Sequence, residues 1–249
     1  MMYNPFSLKG KVILITGASS GIGKSIAIEC SKMGASVIIT GRNKERLQDT
    51  FTQLEGGENA MFIADLLDFA VFGDLCKELP KLDGLVNCAG LTKTVLYQFL
   101  SEDVLDQVMN VNFKAPALLT QQLIKSKKLG KGSSVVFVSS ISGIVCSAIA
   151  SSVYSASKGA VNGMIKGMAL DLASKNIRVN SVNPGMIDTD IFASGEITEE
   201  QLQEDIKRYP LKRYGKPEEV AHGVIYLLSD ASKWMTGSNI VIDGGYTLL

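Results

Sequence analysis

The sequence predicts an α/β fold, a doubly wound domain with a seven-stranded parallel sheet and helices on both faces, and it assigns residues 1–249 to one unit. Two observations carry this. Short β-branched runs recur at 12–16, 36–40, 60–64, 82–87, 134–139, 177–183 and 239–243, and the stretches between them follow helical spacing. A cluster of glycines also joins the first strand to the first helix, where parallel α/β domains place their tightest turn.

In the first unit, Ile22, Ile26, Ala27, Cys30 and Met33 recur at helical spacing, and Gly34 follows as a C-terminal cap. Leu47, Phe51 and Leu54 repeat the pattern after the second strand, as do Val104, Leu105, Val108 and Val111 after the fourth. Strands separated by such helices pair in parallel, because a parallel pair needs a crossover. The least patterned stretch, 188–216, contains Gly195 and Pro210, with acidic helical material at 199–205, and reads as a substrate lid.

The 25 basic and 25 acidic residues balance, which argues against nucleic acid and anionic membrane as partners. Apolar runs are too short for a secretory signal or a membrane span, so the protein is expected in the cytoplasm. The four cysteines, Cys30, Cys76, Cys88 and Cys146, lack metal or disulfide spacing and read as reduced thiols. With one histidine, His222, no metal centre is expected.

The turn from Thr16 to Gly23 contains Gly17, Gly21 and Gly23, and opens a helix whose free N–H groups and dipole attract phosphate. Ala18 to Ser25 also reads as a relaxed P-loop, which leaves open a nucleotide triphosphatase using Lys24 and Ser25 with Asp65 or Asp243. At the end of the second strand Gly41 removes the acid that selects NAD, and Arg42 supplies a cation for a 2′-phosphate, so NADP(H) is expected over NAD(H). Tyr154 and Lys158 stand four residues apart, on one helix face and about 6 Å apart along its axis. An ammonium beside a phenol makes it a usable general acid and base; the same spacing also suits an ordinary amphipathic helix.

In this order, the segments resemble the short-chain dehydrogenase/reductase family across essentially the whole chain. They are the glycine turn Gly17, Ala18, Ser19, Ser20, Gly21, Ile22 and Gly23; Asp65 and Leu66; Asn87, Cys88, Ala89 and Gly90; Val111 and Asn112; Ser139 and Ser140; Tyr154 and Lys158; and Asn183, Pro184 and Gly185. The resemblance implies a Rossmann fold and an NADP(H)-dependent enzyme that interconverts a carbonyl and a secondary alcohol by direct hydride transfer. It implies that Tyr154 handles the substrate proton, that Ser140 hydrogen-bonds the substrate oxygen, and that Lys158 acts on both Tyr154 and the nicotinamide ribose. Asn112 is expected to hold a water linking Lys158 to solvent, and Ser139 or Ser142 is an alternative to Ser140. Asp65 is implied at the adenine, and the Ile187 backbone and Thr189 hydroxyl at the nicotinamide carboxamide. Cys88 departs from a common asparagine and reads as packing, with oxidative sensitivity as the alternative.

Ile144, Val145, Cys146, Ile149, Met186, Ile191 and Phe192 are the candidate pocket walls, and they suit an uncharged carbonyl with an apolar part. A 3-oxoacyl-[acyl-carrier-protein] reductase is the main alternative identity. Leu170 stands where the resemblance places a carrier-docking arginine, and Lys127, Lys128 and Lys131 offer a partial substitute. The broad apolar face of the 153–174 helix, together with the 104–125 helix, is expected to build a homotetramer. His222 and Trp234 are assigned to packing among Val220, Val224, Leu227 and Leu228. A non-catalytic sensor is expected to have lost Tyr154, Lys158 or Ser140, and all three are present.

Overall fold

Alternation along the first strand explains the architecture. In β1 (Val12–Thr16), Ile13 and Ile15 face one layer and Leu14 the other, and all three are fully buried. A strand buried on both sides needs helices on both sides. In this computed structural model, which describes residues 3–189 and 199–249, that is the arrangement.

The remaining strands are β2 (Ser36–Gly41), β3 (Ala60–Ile63), β4 (Leu82–Asn87), β5 (Leu129–Val138), β6 (Arg178–Pro184) and β7 (Asn239–Ile242). All pair in parallel, in the order β3-β2-β1-β4-β5-β6-β7. The strand order reverses between β1 and β4, and a crevice opens at their carboxyl ends.

On one face α1 (Gly21–Lys32), α2 (Lys44–Thr52) and α8 (Pro217–Leu228) cover Ile13, Val37, Val86 and Val182 with Ile26, Cys30, Leu47, Val224 and Leu227. On the other, α3 (Val71–Glu78), α5 (Ala115–Lys125) and α6 (Ser152–Leu172) cover Leu14, Leu85, Val135 and Phe137 with Leu75, Leu119, Val161 and Ile165. The acidic stretch forms α7 (Glu199–Ile206), leaving 190–198 outside the described residues.

Several sequence expectations shift. β5 begins five residues earlier than expected, because a register shift between its Leu82 and Gly84 partners absorbs Gly130 to Ser133. The helix expected over 104–125 is α4 (Glu102–Met109) and α5, joined through a π-helical turn at Asn110–Lys114. Trp234 is fully exposed instead of packed among apolar neighbours. His222 sits on the surface with Nε2 3.7 Å from Glu29, since it occupies the outer face of α8. No helix among the described residues is long and apolar enough to cross a membrane.

Candidate active site

The glycine turn is shaped by backbone crowding. Gly17 has φ +69°, and a Cβ there would lie 2.6 Å from Ala89 Cα, so the end of β4 comes within contact of the turn. A Cβ on Gly23 would overlap the Gly17 carbonyl. Thr16 locks the two strand ends together, its hydroxyl accepting from Cys88 N–H (3.1 Å) and Ala89 N–H (3.2 Å). Ser20 precedes α1 in extended conformation, yet its side chain does not cap the helix, and no acid occupies the first turn. The first N–H groups of α1 are thus left for an anionic group. Thr189 abuts this turn, with its Cγ2 3.4 Å from the position of a Gly21 Cβ.

At the adenosine end, Gly41 brings β2 against Ser19, whose Cβ lies 3.3 Å from a Cβ built on Gly41. Arg42 is exposed and has no ion pair among the described residues. Gly41 O accepts from Ala64 N–H (3.2 Å), placing Asp65 in the next strand end, and Asp65 Oδ1 accepts from Leu67 N–H (3.0 Å). Leu66 packs partly into the core. Lys24 does not curl over the turn, because its Nζ is 2.7 Å from Asp49 Oδ2 on α2. This removes support from the triphosphatase reading, which needs Lys24 over the phosphates.

The second half of the site is carried by α6. Tyr154 and Lys158 occupy successive turns, with the Lys158 ammonium 5.7 Å from the Tyr154 ring centroid. Lys158 is 5% exposed, and its Nζ donates to Val138 O at 3.0 Å. The two adjacent serines divide their work. Ser139 Oγ donates to Lys158 O (3.1 Å) and accepts from Asn162 Nδ2 (2.9 Å), so it is spent inside the protein. Ser140 Oγ accepts from Ser142 N–H (3.1 Å), which leaves its proton free to donate. Ser140 is therefore the one of the pair whose hydroxyl can serve a ligand.

Gly143, at φ +89°, packs the loop after Ser140 onto α6, with a Cβ position 2.7 Å from Gly159 N. Asn112 lies in the π-helical turn, a local register common at functional sites. Its side chain bonds both backbone groups of Leu91 (2.7 and 2.9 Å) and Ser157 Oγ (3.0 Å). Gly90 lies beside both Asn112 Oδ1 and Lys158 Nζ, at 3.6 and 3.7 Å from its Cβ position.

Desolvation pushes the Cys88 thiol up to about 12, against the opposing pull of Lys158, which favours the protonated thiol at neutral pH. The loop after β6 returns to the turn. Ile141 N–H donates to Pro184 O, Gly185 N–H to Ile242 O, and Ile187 is buried. Ile144, Val145, Ile149 and Met186 are exposed at the mouth, whereas Ile191 and Phe192 lie outside the described residues. Val95 N–H to Ala150 O (2.9 Å) draws the loop with exposed Leu96, Tyr97 and Phe99 alongside.

Sequence reasoning placed Thr16 at the start of the turn without its bonds to Cys88 and Ala89, and missed Gly143 and Asn162. Asn162 follows Lys158 by four residues on the same helix face, which was a usable signal. The other two roles depend on contacts between distant strand ends and loops.

With the geometry in place, comparison with known proteins is decisive. The family model described as Enoyl-(Acyl carrier protein) reductase matches residues 17–247. The 3-oxoacyl-[acyl-carrier-protein] reductase FabG of Thermotoga maritima is 38% identical over 97% of this chain and 99% of its own. The chain belongs to the short-chain dehydrogenase/reductase family. It is an oxidoreductase acting on CH–OH or carbonyl groups. The enzyme of the same name from Rickettsia conorii is 35% identical, again over 97% of this chain and 99% of its own. Among solved structures, the Pseudomonas aeruginosa RhlG/NADP active-site complex superposes with a TM-score of 0.91 at 30% identity, covering 99% of this chain and all of the other.

Proposed function

We propose that this dehydrogenase/reductase uses NADP(H) in preference to NAD(H) to reduce a carbonyl compound with an apolar part. The observation that carries the reading is the juxtaposition of Ser140, with its free hydroxyl proton, and the Tyr154 and Lys158 pair beside the uncapped glycine turn. Gly17, Ser19, Ser20, Gly21, Ile22 and Gly23 receive the pyrophosphate, and Arg42 the 2′-phosphate. Asp65 and Leu66 hold the adenine, Asn87, Ala89 and Gly90 the adjoining ribose, and Pro184, Gly185, Ile187 and Thr189 the carboxamide. A bound nicotinamide supplies the hydride.

Ser140 donates a hydrogen bond to the substrate oxygen, and Tyr154 delivers the proton to that oxygen as its charge develops. Lys158 places positive charge next to the phenol and replenishes its proton through a water held at Asn112. In the lid, 188–216, the portion ahead of Tyr209 is the closing part, and the enzyme works as a cytoplasmic homotetramer.

The test is a fluorescence titration with NADPH, NADH and ATP, followed by a carbonyl screen. NADPH binding at least about tenfold tighter than NADH is expected, a difference of about 1.4 kcal/mol. Equal affinities would overturn the preference, and a Tyr154→Phe variant as fast as wild type would overturn the proton donor. Sedimentation showing only monomer would overturn the tetramer.

A second reading, reduction of a carrier-bound 3-oxoacyl group, is favoured by one observation. Gly132 N–H donates to Asn176 O (3.1 Å), and this brings the backbone of exposed Lys131 beside that of exposed Lys175. An acidic carrier fits such a patch. The patch lies at the amino end of β5, roughly 20–25 Å from Ser140, since the bulge over 130–133 shortens the strand. Lys131→Glu is expected to raise KM for a carrier-bound substrate and not for a free ketone.

A further inference from the structure

The segment after α7 joins the two loops that close the site. On one side Gly215 N–H donates to Met186 O (3.1 Å), Asp188 N–H donates to Gly215 O (2.8 Å), and Ile187 pairs with Gly215. On the other, Leu211 N–H donates to Gly244 O (3.3 Å), and a Cβ on Gly245 would lie 2.9 Å from Pro210. Asp243 holds the 245–247 turn in place by accepting from Gly245 N–H, Thr247 N–H and the Thr247 hydroxyl.

Tyr209 fills the join between these two sides. Although it sits on a loop it is 4% exposed. Its ring lies 4.8 Å from that of Tyr246 and meets Tyr214 edge-on at 5.5 Å. Burial holds its phenol above the ordinary tyrosine range, so it stays neutral, and the Met186 backbone amide faces its hydroxyl. Arg208 closes the outer side, with its guanidinium 5.0 Å over the Tyr246 ring, bonded to the Tyr246 hydroxyl and paired with Asp205 at 3.1 Å. A cluster of three tyrosines, Tyr209 tilted against Tyr246 and edge-on to Tyr214, thus lies against the backbone at Met186.

We propose that Tyr209, braced by Tyr246, is a positioning residue that sets the 186–189 backbone against the nicotinamide half of the coenzyme. The proposal rests on the NADP(H) reading above. Ring stacking has a preferred geometry, so the pair resists the sliding that an aliphatic contact of equal area permits. The 186–189 backbone gains its fixed place through Gly215, whose loop Tyr209 and Tyr214 flank. A role confined to packing predicts uniform losses, whereas a positioning role predicts losses only for ligands that reach the nicotinamide end.

The experiment titrates wild type, Tyr246→Ala, Tyr246→Phe and Tyr209→Leu with NADPH and, separately, with adenosine 2′,5′-bisphosphate, which ends before the nicotinamide half. Tyr246→Ala is expected to bind NADPH about 3- to 10-fold more weakly while binding the bisphosphate as wild type does. Tyr246→Phe keeps the ring and is expected to restore NADPH affinity. Tyr209→Leu is expected to follow Tyr246→Ala, and if it does not fold the Tyr246 pair decides alone. Unchanged NADPH affinity in Tyr246→Ala, or equal weakening of both ligands, overturns the proposal. Wild type that binds neither ligand overturns the coenzyme reading itself, and the positioning role with it.

Discussion

Gly143→Ala tests whether the spacing between the Ser140 loop and α6 governs catalysis. The added methyl meets two obstacles. Gly143 has φ +89°, where an L side chain costs about 1–2 kcal/mol. Its Cβ would overlap the Ser155 carbonyl oxygen and lie 2.7 Å from Gly159 N, short of the 3.4 Å at which ordinary contact begins, so the loop must retreat by about 1 Å or more. Neither group is a flexible side chain. Retreat moves Ser140 away from Tyr154, and a displacement of about 1 Å at a catalytic contact costs about 100-fold in rate. The expected result is kcat reduced by about two orders of magnitude with the affinity for adenosine 2′,5′-bisphosphate unchanged, because that ligand is read as sitting at the glycine turn and Arg42 and not at the Ser140 loop. Stability should fall by about 2–4 kcal/mol in a urea melt. Folded Gly143→Ala protein with wild-type kcat would refute the claim that this close packing sets the geometry.

Four further outcomes are expected. Ser140→Ala should lower kcat by about 100-fold with little change in stability, whereas Ser139→Ala should cost about 1–2 kcal/mol in a denaturant melt, because it breaks the link between β5 and α6; the reverse pattern would exchange their assignments. Native protein treated with iodoacetamide at pH 7.5 should carry no label at Cys88, whose thiol is held near 12, and peptide mapping that found it modified would restore the oxidation-sensitive reading. Glu219 is held down to about 2, first by Arg213, whose two nitrogens lie 2.6 and 2.7 Å from its carboxylate, and then by the Lys216 N–H. A depressed carboxylate stabilises the fold above its unfolded value near ~4.3 and loses that contribution as pH falls through 2, so the deficit of Glu219→Gln should shrink between pH 4 and pH 2. Both side chains are more than a third exposed, so that deficit at pH 7 should be no more than about 1 kcal/mol, and a deficit that grows on acidification would contradict the sign. Replacing Trp234 by Ser should leave the monomer fold intact, since the indole is fully exposed, and melts that dropped with no change in subunit association would show a packing role instead.

Much of the site was legible before any coordinates, because its chemistry sits on short local spacings. Three glycines in seven residues specify the turn, and the spacing of four from Tyr154 to Lys158 specifies one helix face. Strand periodicity was read correctly for β1 and β4 to the residue, since each ends in a turn. It misplaced the start of β5, where Gly130, Lys131 and Gly132 look like a loop and form a bulge.

What the sequence alone determined was therefore the order of elements, the family and the candidate residues, all of which depend on neighbours along the chain. The tertiary structure decided which of two adjacent serines is free, and the reason is a partner 23 residues away, Asn162, that holds Ser139. It also decided that Lys24 faces Asp49, that Trp234 stands in solvent, that Lys131 and Lys175 share one surface, and that Tyr209 meets Tyr246. Each is a contact between segments far apart in sequence, set by how the layers pack, and no local pattern of residue types encodes which distant group a side chain will meet.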